Sequence, residues 1–209
     1  MILLNHVKKS QKITHIVGID EVGRGPLAGP ITFCAFCAHN DFNFKKFRIP
    51  LKDSKQLNRQ KREEIFKVLN KLSQEKQVSF SISSASNILM DKKGLSFCIK
   101  KCISDCLKKL SINSKTTKVL LDGGLHAPSK FIFQETIVKG DTKKYVIAFA
   151  SIVAKVSRDK YMIRISHLYS HYDLEKNKGY GTASHIKAIK KHGPSKIHRK
   201  SFLKNMIKA

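Results

Sequence analysis

The order of the apolar segments predicts an α/β protein, a mixed sheet layered with helices. Three observations carry that expectation. Two β-rich runs come first, THIVGID (14–20) and ITFCAFCAH (31–39). Further strand-like runs are then interleaved with helical ones. The longest apolar helical stretch, TKKYVIAFASIVAKVSRDKYM, has the length to pack across a sheet.

THIVGID stops at the acidic pair Asp20–Glu21, and ITFCAFCAH is entered through a Gly-Pro turn. NRQKREEIFKVLNKLSQEK (58–76) places Ile65, Phe66, Val68, Leu69 and Leu72 at helical spacing, with Asn58 as its cap. VSFSISS alternates and reads as a strand exposed on one face. GLSFCIKKCISDCLKKL is a helix. KVLLDGG is a short strand ending at Asp122, and FIFQETIV (131–138) is another. Asp141, in VKGDTKKY, would by itself make an N-cap for the long helix that follows. Beyond His171 the chain turns polar and Gly-rich, then offers one short helix, ASHIKAIKKH, stopped by Gly193-Pro194.

A length of 209 residues suits one ordinary domain with at most a small appendage, and 41% hydrophobic content fits a folded chain. The net charge of +26 points to a polyanionic partner, although a charge carried mostly by lysine can also reflect codon bias. MILLNHVKKSQK has too short an apolar patch for a signal peptide, and VIAFASIVA, bounded by Lys, is too short for a membrane span. The expectation is a cytoplasmic protein with reduced cysteines. Cys98, Cys102 and Cys106 fall in one row on a helix, where the outer two lie about 12 Å apart along the axis. One zinc ion, with thiolates at about 2.3 Å, could not gather them, so they read as small core residues. Cys34 and Cys37 resemble a CxxC pair but sit in a strand with no second pair.

The acidic residues need a different account, because the chain has only 15 of them and two stand at strand ends. If the strands ending at Asp20 and Asp122 are neighbours, both carboxylates emerge at the sheet edge where α/β proteins gather function. Side chains alternate along a strand, so Asp20 and Glu21 serve one centre only if the chain bends at the pair, which Gly23 and Gly25 would permit. Clustered carboxylates raise one another's pKa unless a cation intervenes, and Mg²⁺ or Mn²⁺ prefers oxygen ligands. The alternative is that Asp20 and Asp122 merely cap turns.

GIDEVGRGPLAGP resembles the opening motif of ribonuclease HII, the type 2 ribonuclease H family. KDSKQL (52–57), VLLDGG (119–124), KGD with IAFASIVAKVSRD (139–159) and NKGYGTASHIKAIKKHGPSKIHRKSF (177–202) resemble further family blocks in the family's order. The resemblance implies a ribonuclease H-like core over residues 1–165 and a small helical C-terminal portion over 166–209 that contributes to substrate binding. It implies hydrolysis of RNA in RNA–DNA hybrids and nicking of duplex DNA on the 5′ side of an embedded ribonucleotide, leaving 3′-hydroxyl and 5′-phosphate ends. Asp20, Glu21, Asp122 and Asp141 take the family's four acidic positions, holding Mn²⁺ or Mg²⁺ in a two-metal arrangement. Gly23, Arg24 and Gly25 would contact the ribonucleotide, Tyr180 would sense the junction from the other side, and Lys55 would meet a phosphate. A Gly-rich turn suits that task, since backbone can approach a 2′-hydroxyl closely.

The sequence departs from the family pattern at Gly94, where many relatives carry Asn, and at Phe149, where a small residue is common. Three rival readings stand beside the resemblance. A metal-free ribonuclease could use His126, His185, His192 or His198 as acid and base, but nothing in the spacing fixes a pair. The same histidines, with Lys187, Lys190, Lys191, Arg199 and Lys200, read better as a positive surface along a nucleic-acid backbone. A non-catalytic basic binding protein explains the charge but not the strand-end acids, and a resolvase-like nuclease of the same fold would share them. The chain reads as a monomer.

Overall fold

The computed structural model describes residues 12–47 and 57–204. Its centre is strand β1 (His15–Val22), flanked antiparallel by β2 (Ile31–His39), which in turn pairs antiparallel with β3 (Val78–Ala85). On its other side β1 pairs in parallel with β4 (Thr117–Asp122), and β4 in parallel with β5 (Gln134–Ile137). The sheet order is β3-β2-β1-β4-β5, a mixed sheet as the sequence predicts. β5 is shorter than FIFQETIV suggests. The Phe131 N–H is taken by the Pro128 carbonyl at 2.9 Å and its ring is buried in the core, so regular pairing begins only at Gln134.

Because successive strand residues face opposite ways, β2 feeds two cores at once. Phe33, Ala35 and Cys37 pack with Cys98, Cys102 and Cys106 of α3 (Leu95–Lys109), whereas Cys34, Phe36 and Ala38 face α1 (Arg59–Gln74) and α4 (Tyr145–Ser166). Burial of each large apolar side chain is worth about 1.5–3 kcal/mol, which makes this doubly buried strand the anchor of the fold. All five cysteines are free and buried, and for Cys98, Cys102 and Cys106 the helical row predicts it. α1 starts where expected, with the Asn58 side chain accepting from the Lys61 N–H at 2.8 Å. In β3 Ser81 and Ser83 lie on the more buried face. Ser81 donates to the Cys106 carbonyl at 2.8 Å, while Phe80 and Ile82 lie half-buried on the opposite side.

Two of the sequence's unusual positions have local causes. Gly94 joins α2 (Asn87–Lys93) to α3 with φ of 81°, a conformation that costs glycine nothing. Phe149 fills the layer between α4 and the sheet, with its ring centroid 5.3 Å from that of Phe36. α4 itself crosses β1 so closely that a Cβ on Gly18 would lie 2.1 Å from the Val146 carbonyl carbon. Asp141 does not cap α4. It sits in a 3₁₀ turn, Gly140–Thr142, and the residue preceding the helix is Lys144, which makes no side-chain cap.

A third, smaller apolar cluster joins Ala28, Met162, Tyr172, Leu174, Ile189, Ile197 and Leu203. It fastens the loop after β1 to the end of α4 and to α5 (Leu174–Asn177), α6 (Ala183–His192) and α7 (Lys200–Leu203). α6 is capped by Thr182, whose side chain accepts from the His185 N–H, and it stops at Gly193. Among the described residues no helix is long and apolar enough to cross a membrane.

Candidate active site

The parallel ladder between β1 and β4 ends at the pair Ile19–Leu121. Asp20 and Asp122 are the next residue on each strand, so two carboxylates stand one step beyond the last rung of neighbouring strands about 4.8 Å apart. Asp141 follows from the other flank. β5 pairs with β4 as far as Asp122–Ile137, and the Gly140 N–H then donates to Asp122 Oδ1 at 2.6 Å. That bond places the buried Asp141 one residue from a partner of Asp122. Glu21 continues β1 beyond Asp20. The strand runs on to Val22 still paired with β2, so the chain does not bend at the acidic pair; the turn begins at Gly23, with φ of 87°. Both acids nonetheless border Ser151 of α4, which hydrogen-bonds Asp20 and lines the cleft beside Glu21.

Asp20 is only 5% exposed, and burial pushes its carboxyl up to about 8, with Glu21 and Asp122 adding to the rise and the Ser151 hydrogen bond opposing it. Its Oδ1 accepts from the Glu21 N–H at 2.8 Å, and Glu21 Oε1 pairs with the Arg24 guanidinium at 2.8 Å. Each carboxylate thus leans on its own donor, and among the described residues no three His, Cys, Asp or Glu side chains are already drawn together as an ion-holding group. The donor set still fits a hard divalent cation. It is all oxygen, it is partly buried, and the mutual repulsion that lifts Asp20 is what a cation would relieve.

Beside the acids a cleft of about 280 Å³ is lined by Glu21, Val22, Arg62, Ser151, Ile152, Lys155 and Tyr180. Tyr180 is 39% exposed, and the Lys155 ammonium lies 5.8 Å from its ring centre. Lys155 is also paired with Asp159 at 2.9 Å. Ser151, Lys155 and Asp159 recur every fourth residue on α4, a spacing that puts them on one face. That spacing is the sequence signal for Ser151 and Lys155, which the motifs do not single out, and no comparable signal marks Arg62. Gly23, Arg24 and Gly25 form the rim of the same region, with Arg24 and Gly25 exposed. Lys55 lies outside the described residues.

The expected positive surface is only partly one. Lys187, Lys190, Lys191 and Lys200 are exposed, but Arg199, His185 and His198 are buried. Apolar Ile189 and Ile197 draw their segments inward and carry these residues with them. The two histidines form a pair that spacing did not reveal, with their Nε2 atoms 3.1 Å apart. Fixed partners set its tautomers. The Ser195 N–H donates to His198 Nδ1 at 3.0 Å, so His198 carries its proton on Nε2 and gives it to His185 Nε2, while His185 Nδ1 donates to the Tyr180 carbonyl at 2.8 Å. Burial holds both imidazoles below the ordinary range, His198 at about 4, and their partners are protein groups of the C-terminal portion. His192 is exposed and stacks on His171 at 4.5 Å.

Comparison with known proteins bears on the family and the fold. The family model described as ribonuclease HII matches residues 17–205. Ribonuclease HII of Clostridium beijerinckii is 43% identical over 193 residues, covering 92% of this chain and 69% of the relative. Among solved structures, ribonuclease H2 from Pyrococcus horikoshii superposes with a TM-score of 0.69 at 22% identity, covering 93% of this chain and 97% of that one. Bst-RNase HIII in complex with Mn²⁺ superposes with a TM-score of 0.65 at 20% identity, covering 88% and 64%.

Proposed function

The chain belongs to the ribonuclease HII family and is a ribonuclease H, a phosphodiester hydrolase acting on RNA–DNA hybrids; from that premise we propose its finer reaction. It hydrolyses the RNA strand of hybrids and nicks duplex DNA on the 5′ side of embedded ribonucleotides, leaving 3′-hydroxyl and 5′-phosphate ends. The observation that carries this reading is the register: Asp20 and Asp122 follow the last ladder pair of two parallel strands, with Asp141 tied in through Gly140.

Asp20, Glu21, Asp122 and Asp141 hold the divalent cation, Mn²⁺ or Mg²⁺, with two ions in the full arrangement. Such ions, when bound, activate water and stabilise the departing oxygen. The Mn²⁺ complex of Bst-RNase HIII, which has the same fold, is consistent with that choice. The protein's own side chains do the rest. Ser151 steadies the Asp20 carboxylate. The turn Gly23–Gly25 reads the ribose, Tyr180 packs on the neighbouring deoxyribose, and Arg62 and Lys155 meet backbone phosphate in the cleft. Residues 1–165 form the catalytic core. Residues 166–209 form the substrate-binding portion, where the exposed lysines of α6 follow the duplex. The enzyme acts as a cytoplasmic monomer that removes ribonucleotides from DNA.

The test is cleavage of duplex DNA carrying one ribonucleotide, with Mn²⁺, with Mg²⁺ and with EDTA. Nicking that requires a cation is expected. Asp20→Asn and Asp122→Asn should each lower turnover by about 10³-fold or more, the size of losing a central electrostatic group, while hybrid binding stays near wild type. Cleavage that persists in EDTA, or an Asp122→Asn enzyme with near-normal turnover, would rule the reading out.

A further inference from the structure

The two largest fully buried side chains in the described residues are both arginines, Arg158 and Arg199. Neither makes an ion pair with a carboxylate among the described residues; each spends its guanidinium on backbone carbonyls. Arg158 donates to Pro30, Lys178 and Ala28 at 2.9, 2.9 and 3.1 Å. Arg199 donates to Gly29 from Nε at 3.0 Å, to Arg24 from Nη1 at 2.9 Å and to Gly23 from Nη2 at 2.6 Å. Burying a guanidinium without a counter-ion costs several kcal/mol unless its donors are satisfied. A chain that keeps two such groups against one eight-residue loop is using them to fix that loop.

The effect on the loop follows from peptide geometry. In a trans peptide the carbonyl of one residue and the N–H of the next point in opposite directions, and no described peptide bond is cis. With the Gly23 and Arg24 carbonyls turned inward onto Arg199, the N–H groups of Arg24 and Gly25 must face away from it. Arg24 and Gly25 are the two exposed residues of the loop, next to Glu21 and the cleft. The buried cation also polarises both peptides, which strengthens their outward N–H donors.

We infer that Arg199 is a positioning residue for sugar recognition: its fork holds the Gly23 and Arg24 peptides so that two adjacent N–H donors are aimed at the ribose hydroxyl of the substrate. This rests on the nuclease reading above and adds to it the device that orients the reader. Only arginine suits the task, because a planar fork reaches three carbonyls at fixed spacing, whereas lysine offers one point charge. An arginine that merely cemented the C-terminal helices would leave recognition untouched when weakened.

The experiment compares Arg199→Lys with Leu203→Ala, which loosens the same C-terminal cluster but leaves Arg199 and its bonds to the Gly23 and Arg24 carbonyls in place. Three quantities are measured well below the melting temperature: kcat/KM on a single-ribonucleotide duplex, and the Kd in EDTA for that duplex and for its all-DNA counterpart. Arg199→Lys should lose about 10²-fold in kcat/KM, the size of a modest misplacement of a binding group. Its Kd for the ribonucleotide duplex should rise to the all-DNA value, which stays unchanged. Leu203→Ala should melt lower yet keep the wild-type ratio of the two Kd values. The proposal is overturned if Arg199→Lys keeps that ratio, or if Leu203→Ala loses it equally. Should Arg199→Lys not fold, wild-type amide spectra carry the test. The Arg24 and Gly25 N–H signals are expected to shift with the ribonucleotide duplex and not with DNA, and unmoved signals overturn the proposal. A wild type that neither cleaves nor distinguishes the duplexes would overturn the nuclease reading itself, and this proposal with it.

Discussion

Two glycines show how single residues divide between holding the fold and serving the site. A Cβ on Gly18 would meet Val146 backbone at 2.1 and 2.3 Å and the Ile147 nitrogen at 2.4 Å, so α4 would have to move off the sheet. Overpacking against backbone costs typically 1–3 kcal/mol and here has no side chain to yield. Gly18→Ala is therefore expected to destabilise by about 3 kcal/mol or more in urea unfolding, and an unchanged midpoint would contradict the close approach of α4 to β1. Gly25 is the reverse case. A Cβ there meets nothing within 4 Å, so Gly25→Ala should melt with the wild type. The added methyl lies on the exposed rim beside the acids, and kcat/KM on a ribonucleotide duplex should fall by about 10-fold or more. A variant with both normal stability and normal turnover would remove Gly25 from the recognition surface.

At the scale of elements, Tyr180 depends on a chain of contacts that the motif alone does not contain. Its carbonyl is held by His185, which is held by His198, which is held by Ser195. With its backbone fixed from below, the half-exposed ring stands at the cleft within 6 Å of both Lys155 and Arg158. Tyr180→Ala should impair cleavage at a lone ribonucleotide about 10-fold while sparing an all-RNA hybrid, because only the former offers a deoxyribose to pack against. Equal losses on the two substrates would contradict junction sensing. The elements that set this stage were legible in the sequence where a local period or cap decides them. β2, α1 and α6 follow from an apolar run after a Gly-Pro turn, from apolar spacing with Asn58, and from Gly193. The apolar runs that stop at Asp20 and Asp122 are legible too, although β1 continues to Val22; their adjacency is a matter of which strands pair, and no local pattern encodes that. Taken alone Asp141 reads as a cap for α4, while the family resemblance makes it one of four acids; the cap is absent because the residue lies in a 3₁₀ turn whose Gly140 N–H is bound to Asp122. In sequence Arg199, His185 and His198 read as surface for a similar reason, yet all three are buried. A charged residue looks exposed until the carbonyls that receive it, 170 or more positions away for Arg199, are in place.

At the scale of the whole molecule, the net charge of +26 assists association with a polyanion but strains the compact state, so the buried ionisable groups weigh on its pH stability. The histidine pair works in one direction. His198 has a folded value of about 4 against an ordinary 6.5, and His185 is also lowered. Between those values the unfolded chain takes up protons that the folded protein refuses. The pair's contribution is therefore fully present above pH 6.5 and is lost as the pH falls toward 4, to the extent of roughly 3 kcal/mol for His198. Asp20 opposes it. Its folded value of about 8 exceeds the ordinary 3.8, so the folded protein holds a proton that the unfolded chain releases, and its contribution declines as the pH rises toward 8. The two terms overlap, and the histidine term must be read as a difference between proteins. His198→Gln keeps one donor and one acceptor in the pair but removes the titration. It should be less stable than wild type at pH 7.5, and its stability should fall less steeply than wild type from pH 6.5 to 4.5 in urea unfolding with EDTA present. Parallel curves for the two proteins would mean that the folded pair takes its proton without loss, and that would void the tautomer chain that holds Tyr180.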